Sequence, residues 1–463
     1  MPIDKHILII LPDGVGIKNY LHSKIISYLK ENSKITIWSP LPIEAFIEIK
    51  DIHKLEFQYK QILLTPEQTI ARLYREAVAY ARLKHNTKLK DNPTILSTNW
   101  RIKKNSFKAR LLYNLAQILG NYLTKNYPRI LKYEKKAIEN TSSLSIKKYT
   151  SDLKALQPTS IFITHQRVAG LMPICIAAKN LNIRTATAIF SWDNLPKARL
   201  NVKTDQYFVW SQWMKDEMKD YYPEIPQEQV KILGTPQFEF YSDKERLLER
   251  NVFAKQHGLD PQKKWICFSG DDKLTSPHDN IFLSDVAEAL VTEKQEIQII
   301  FRRCPVDFSE RYDEVLRTYN DFIVAIDPEW NIETETGWTG YFPKYIDVNM
   351  QINLVHHCEL VINLGSTMAV DFATFNKPCL YLNYDPKKDN TWSTKVIYSY
   401  QHFKSMEGFD AVGWINNKDT IKETVLGAID QPQSIAKERQ EWIKRIVLHP
   451  IDKNSENIAK ALL

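Results

Sequence analysis

Short, continuously apolar, β-branched runs alternate with helical stretches along most of this chain, and that alternation narrows the fold more than any single motif. The runs at 6–11 (HILIIL), 35–38, 160–164, 184–190, 206–210, 264–268, 297–302, 322–326, 359–363 and 378–382 read as strands. Apolar and polar residues do not alternate within them, so both faces of each strand must be covered. That is the property of a parallel sheet flanked by helices. Helical periodicity fills 17–31, 66–87, 107–126, 168–181, 211–220, 279–292, 349–357, 366–375 and 433–446. The pattern is too long for one doubly wound sheet, so two are expected. A chain of 463 residues has room for them at roughly 100–200 residues per domain.

Two regions depart from the alternation. Residues 66–155 are helical throughout and read as an insertion in the first domain. After the apolar run that ends near 233, Gly234-Thr235-Pro236 opens a charged segment that reads as a linker, so the domains are expected at 1–235 and 236–463. By analogy, the last helix, with Trp442 and Ile443, is expected to cross back onto the first domain.

Charge is uneven. The net charge is +7, yet residues 101–136 hold ten Lys and Arg against Glu134 alone, which leaves −2 for the rest. Such a local excess argues against a protein that coats nucleic acid, and no nucleic-acid module surrounds the segment. Within it Leu111, Leu115 and Ile118 or Leu119 recur at helical spacing. That face either packs on the first domain or docks on an anionic membrane surface through 101–136. No run of about 18 apolar residues is present. The apolar N-terminus carries Asp4 and lacks a cleavage pattern, so it reads as a first strand rather than a signal peptide. The five cysteines are scattered without C-x-x-C spacing. This predicts neither disulfides nor zinc, and a cytoplasmic setting.

The candidate chemistry sits where strands end, because open parallel sheets bind ligands at the carboxyl ends of their strands. After the first strand, Asp13-Gly14-Val15-Gly16 lets the backbone turn sharply beside a ligand. Asp13 is a candidate base, with Gly14 and Gly16 on the acceptor side. After strand 160–164, His165 is a second candidate base, since imidazole titrates near neutrality. Its alternative is a structural histidine. After 184–190, Trp192 and Asn194 suit an acceptor sugar, and Asp193 is a third candidate base. A capped helix start explains Asp193 and Asn194 equally well.

In the second half, Gly270 and Asp271 follow strand 264–268, and Gly270 would admit a nucleotide close to the backbone. Arg302 and Arg303 leave strand 297–302. A buried arginine needs an anion, either a ligand phosphate or a neighbouring carboxylate. The fullest motif is Val361-Ile362-Asn363-Leu364-Gly365-Ser366-Thr367, followed by Asp371 and by Asn376-Lys377-Pro378. A buried strand ends at Gly365, and Ser366 and Thr367 start a helix, so hydroxyls and helix N–H groups converge as a diphosphate cradle would require. Asp371 lies on the Thr367 face, where its carboxylate would reach ribose hydroxyls.

This strand-G-S-T-x-x-x-D-x-x-x-x-x-K-P pattern, downstream of Arg-Arg-x-Pro, resembles the donor half of GT-B glycosyltransferases of bacterial surface-polysaccharide synthesis. It is also similar to glycerophosphotransferases of teichoic-acid synthesis and to non-hydrolysing UDP-N-acetylglucosamine 2-epimerases. The resemblance covers about residues 262–385. The sequence departs from it with Asp371 in place of the commoner Glu, and with Cys304 where His often precedes the proline. The resemblance implies two Rossmann-like domains facing a cleft, with the nucleotide diphosphate held by Gly270, Asp271, Arg302, Arg303, Gly365, Ser366, Thr367 and Asp371. It implies no metal and no cofactor, because helix N–H groups and arginines neutralise the leaving diphosphate. Adjacent Asp271 and Asp272 do not form the D-x-D spacing of metal-dependent transferases. The expectation is therefore a glycosyltransferase moving a sugar from a nucleotide-activated donor to a glycan or lipid-linked acceptor, working in the cytoplasm or at the inner membrane face. A nucleotide-sugar epimerase and a non-catalytic nucleotide-binding protein are the alternatives.

Overall fold

Strand β1, His6–Ile10, is buried along its whole length and lies in the middle of the first sheet. The computed structural model describes residues 5–99, 106–332 and 340–463. They divide into two units. The first runs to Pro236 and takes back Tyr400–His402 and Ile446–Leu463; the second holds Gln237–Ser399 and Phe403–Arg445.

In the first unit, β1 is joined by β2 (Lys34–Ser39), β3 (Gln58–Gln61), β4 (Ser160–Ile163), β5 (Arg184–Ala188), β6 (Gln206–Val209) and β7 (Val230–Ile232). The order is β3-β2-β1-β4-β5-β6-β7, and all pairs are parallel. The chain leaves β1 for β2 on one side and returns to β4 on the other. The loops after β1 and β4 therefore lie side by side, and the Thr164 N–H donates to the Ile10 carbonyl at 3.1 Å.

The second unit repeats this logic. Its strands are β8 (Lys264–Ser269), β9 (Ile297–Arg302), β10 (Ile323–Ala325), the short antiparallel pair β11 (Trp330–Asn331) and β12 (Phe342–Pro343), then β13 (Leu360–Asn363), β14 (Cys379–Leu382) and β15 (Gly413–Ile415). The main sheet runs β10-β9-β8-β13-β14-β15, all parallel, and its order reverses between β8 and β13. The fold is thus two Rossmann-like α/β units.

The helical insertion has two parts. Helix Ser143–Leu156 covers the sheet, where Tyr149 and Leu153 pack with Leu8, Ile10, Ile161 and Ile163. Helices Thr69–Lys90, Phe107–Leu123 and Tyr127–Glu139 form a separate cluster around Ala77, Ala81, Ala116, Leu123 and Ile130. The crossing is tight, since a Cβ on Gly120 would stand 2.8 Å from the Ala77 carbonyl oxygen.

Of the two alternatives for the Leu111, Leu115 and Ile118 face of helix Phe107–Leu123, packing on the first domain is not the one observed. The buried face of this helix is Ala116, Gly120 and Leu123. Phe107, Leu111, Leu115, Ile118 and Tyr122 are exposed, Phe107 at 74% and Ile118 at 68%. At 3.6 residues per turn these five fall within roughly 80° of arc. Exposed Lys108 and Arg110 flank them, with Lys125 beyond the end. Arg101, Lys103 and Lys104 of the basic segment lie outside the described residues.

The expected last helix is also corrected. Helix Arg439–Ile446 keeps Trp442 in the second unit, where its indole N–H donates to Ser405 Oγ at 3.2 Å. The segment that rejoins the first unit is the following one, with helix Asn454–Leu462. There Ser160 Oγ donates to the Leu462 carbonyl at 2.9 Å. No helix among the described residues is long and apolar enough to cross a membrane.

Candidate functional site

The reversal of strand order in the first unit brings Asp13 and His165 together. His165 Nδ1 hydrogen-bonds Asp13 Oδ2, and both side chains are buried. The other carboxylate oxygen of Asp13 accepts from the Gly16 N–H at 3.4 Å. A Cβ on Gly16 would come within 2.9 Å of Thr164 Oγ1, so only glycine lets the two loops approach this closely. The His165 ring stacks on Phe190 at 4.4 Å, which fixes its plane. Nε2 is buried and has no hydrogen-bond partner among the described residues. In the tautomer with Nδ1–H donating to Asp13, Nε2 carries the available lone pair, as the orienting carboxylate of a His–Asp pair arranges.

The residues after β5 form a row anchored to the same loop. Gln166 accepts from the Phe190 N–H at 2.9 Å and donates to Asn194 Oδ1 at 3.0 Å. The Asn194 amide donates to Asp193 Oδ1 at 2.7 Å, and Asp193 pairs with Lys197. Burial alone would raise the Asp193 carboxyl, but Lys197 and the His402 ring hold it below the usual carboxylate range. A carboxylate stabilised in this way is a poor proton acceptor, so Asp193 serves better to hold the row than as a base. Trp192 is buried, with its ring against His402 at 4.9 Å. Half-buried Arg167 lies in the field of both Asp193 and Asp13.

In the second unit, the loops after β8 and β13 meet. The Asp271 carboxyl is raised well above its usual range by burial and by the neighbouring Asp279 and Asp272, and it accepts from the Leu364 backbone N–H. Its Oδ2 has no partner among the described residues. Asp279 is fully engaged, accepting from Tyr312 OH at 2.7 Å and Ser276 Oγ at 2.9 Å. A Cβ on Gly270 would stand 3.1 Å from both the Phe301 ring and Tyr312 OH. Gly365 has φ +74°, the left-handed region that disfavours other residues.

Several expected donor contacts are engaged within the protein. The Ser366 N–H donates to Asn363 Oδ1 at 2.9 Å, and Ser366 Oγ accepts from the Met368 N–H at 3.4 Å. Thr367 remains exposed at the start of helix Met368–Thr374. Asp371 is buried and hydrogen-bonded to Tyr241, whose hydroxyl also accepts from Gln351 at 3.1 Å. It does not stand open for a ribose. Arg302 is buried and meets Asp347 at 2.7 Å. That carboxylate is completed by the Glu329 N–H at 2.8 Å and the Trp330 indole at 2.9 Å. Arg303 donates to the Ser309 carbonyl at 2.9 Å and to Asp327 at 3.2 Å. For both arginines the carboxylate alternative is the one observed. Among the described residues no cluster of three or more His, Cys, Asp or Glu could hold a metal ion.

No family model matches the sequence, and no curated protein matches it. Solved structures do match over the whole length. A UDP-GlcNAc 2-epimerase from Neisseria meningitidis, solved with UDP-GlcNAc, is similar at TM-score 0.52 and 10% identity, with 99% of each chain covered. One from Methanocaldococcus jannaschii gives 0.53 and 11%, again over 99% of each chain. A glycosyltransferase from Rickettsia africae gives 0.52 and 10%, over 99% of this chain and 98% of its own. At these identities the likeness is one of fold, and the fold is of the GT-B type.

Near Asp193, helix Gln212–Tyr221 buries Glu217. Burial, with Asp193 and Asp220 adding to it and Lys90 opposing, pushes its carboxyl up to about 8. The folded-state value lies above the ordinary 4.5, so this group's contribution to stability is full below about pH 4.5 and is lost as pH rises towards 8. Glu217→Gln is therefore expected to flatten the fall of the thermal midpoint across that window and to leave the variant more stable than wild type at its upper end. Equal slopes in differential scanning calorimetry would clear Glu217 as the source.

Proposed function

We propose that the chain is an enzyme acting on a nucleotide-activated sugar, and that it transfers the sugar to a glycan or lipid-linked acceptor without a metal ion. The observation that carries this is the Asp13–His165 pair at the strand reversal of the first unit, with Nε2 unpartnered among the described residues. In this reading His165 Nε2 accepts the proton of the acceptor hydroxyl as the new C–O bond forms at the anomeric carbon. The nucleoside diphosphate leaves with the electron pair of the broken bond. Asp13 holds the ring and offsets the imidazolium charge. In the second unit, Gly270, Ser366 and exposed Thr367 would face the diphosphate, whose charge the start of a helix favours. Arg302 and Arg303 stay with their carboxylates in this scheme.

The likeness to the two 2-epimerases named above supports a second reading, epimerisation at the sugar C2, which would use the same fold and a nucleotide sugar. Incubation with UDP-N-acetylglucosamine separates the two. Formation of the 2-epimer without acceptor sinks the transfer reading, whereas acceptor-dependent release of nucleotide supports it. His165→Ala is expected to lower turnover by about a hundredfold or more while nucleotide affinity is kept. Near-normal turnover would remove His165 as the base. Replacing Ser366 and Thr367 together by Ala is expected to weaken binding of UDP, GDP or CMP by roughly 1–3 kcal/mol. An unchanged dissociation constant in calorimetry rejects that loop as the donor site.

A lipid-linked acceptor requires the enzyme at a membrane face, and the exposed side of helix Phe107–Leu123 supports this. An apolar stripe flanked by Lys108 and Arg110 matches the interfacial zone of an anionic bilayer. Wild-type protein is expected to float with anionic vesicles, less so at high salt, and to stay behind with neutral ones. Two variants should lose flotation. One reverses Lys103, Lys104, Lys108 and Arg110 to Glu; the other replaces Leu111 and Ile118 by Ser. Equal recovery of wild type and both variants would leave a soluble acceptor as the better reading.

A further inference from the structure

At the edge of the second sheet, β14 and β15 run parallel, with Tyr381 opposite Trp414 and Leu382 opposite Ile415. The register carries one residue further. Asn383 and Asn416, the first residues past the two strands, stand side by side, and the Asn383 amide donates to Asn416 Oδ1 at 2.8 Å. Helix Thr394–Tyr398 adds Thr394, Lys395 and Tyr398 to the wall. The result is an open pocket of about 660 Å³. It lies at the carboxyl ends of parallel strands, where open α/β sheets bind ligands, and its size is that of a small-molecule site.

The lining combines a braced aromatic ring with uncommitted hydrogen-bonding groups. Trp414 meets Tyr398 edge-on at 4.9 Å and Tyr381 edge-on at 5.7 Å, yet it stays 38% exposed. A single exposed ring is ordinary on a protein surface. This one stands beside two amides, whose mutual bond leaves Asn383 Oδ1 to accept and Asn416 Nδ2 to donate. Asp385 uses Oδ1 for the Thr394 N–H at 2.8 Å and the Thr394 hydroxyl at 3.1 Å, which leaves Oδ2 as an acceptor. The hydroxyls of Tyr384 and Tyr398 are committed to Asp285 and to the Leu382 carbonyl, at 2.9 and 2.8 Å. Among the described residues of the lining, the charges are those of Asp385 and Lys395, which cancel.

An aromatic layer separates this pocket from the Gly365–Thr367 loop. A Cβ on Gly365 would meet the Phe403 ring at 2.7 Å and the Tyr398 ring at 3.5 Å, and Tyr381 OH donates to the Ser366 carbonyl at 3.2 Å. Tyr381 and Tyr398 are the same rings that brace Trp414. The pocket is thus a neighbour of the proposed diphosphate loop and not a part of it.

We infer that this pocket is an accessory site for one neutral pyranose of a glycan. The C–H face of the sugar packs on the Trp414 ring. Its hydroxyls, which both donate and accept, pair with Asn383 Oδ1, Asn416 Nδ2 and Asp385 Oδ2. A charged ligand gains nothing from a lining without net charge. The open side leaves linked sugars in solvent, so the bound ring can belong to a chain. Such a site requires neither transfer nor epimerisation at the nucleotide loops.

The methyl glycosides of D-glucose, D-galactose, D-mannose and N-acetyl-D-glucosamine are the probes. Saturation-transfer NMR on the full chain is expected to show saturable, millimolar binding of at least one of them, unchanged by UDP, GDP or CMP. Trp414→Ala should abolish it. Asn416 is exposed, so Asn416→Ala keeps the fold and is expected to weaken the same glycoside about tenfold. Replacing Ser366 and Thr367 together by Ala should leave glycoside binding intact. No saturable binding of any of these glycosides, undiminished binding in either folded pocket variant, or displacement by nucleotide overturns the inference. Glycoside binding without any nucleotide binding would sink the proposed function and leave this site standing. Nucleotide binding without glycoside binding would do the reverse.

Discussion

A parallel strand cannot be joined to its neighbour by a tight turn, and most of this structure follows from that constraint. Each connection must cross the sheet, so helices cover both faces and the central strands are buried on both sides. The sheet has to start somewhere in its middle, at β1 in one unit and β8 in the other. From there the chain goes first to one side and later to the other. At that reversal two loops leave adjacent strands with no helix between them. Asp13 and His165 meet there in the first unit, and Asp271 meets the Leu364 backbone in the second. The pairs are far apart in sequence, and the order of the strands alone brings them together.

Burial then decides what the charged groups do. An arginine taken out of water must find an anion, and a carboxylate inside the protein is always present whereas a ligand is not. Arg302 has Asp347, and that carboxylate is completed by a backbone N–H and an indole. Arg82 likewise has two carboxylates and the Tyr127 hydroxyl. The same rule gives interest to two groups without hydrogen-bond partners among the described residues. Imidazole Nε2 of His165 and Oδ2 of Asp271 are buried, and each stands at a strand reversal.

The helical insertion uses small residues to bring its helices together. Ala77, Ala116 and Gly120 let helices Thr69–Lys90 and Phe107–Leu123 approach closely, which turns the large apolar side chains of Phe107–Leu123 outward. Helix Tyr127–Glu139 joins the same cluster through Ile130, and its Tyr133 ring meets Tyr74 edge-on at 5.3 Å.

The sequence by itself determined the layers. The apolar runs at ten places are strands in the structure, because a strand buried on both faces can be built only from such residues. The strands it did not reveal are β3, β7 and β15 at or near the sheet margins, and the β11–β12 pair. These are short or part-exposed and need no apolar run. It also marked the strand-end residues, since glycine and polar side chains after an apolar run are visible in one dimension. Partners were not visible. That Asp13 orients His165, that Asp371 faces Tyr241, and that Arg302 meets Asp347 depend on which distant segments pack together. Only the tertiary structure decided which face of helix Phe107–Leu123 is buried. Helical spacing identifies an apolar stripe, but a neighbour able to come close, through Ala77 and Gly120, selects the small-residue face instead.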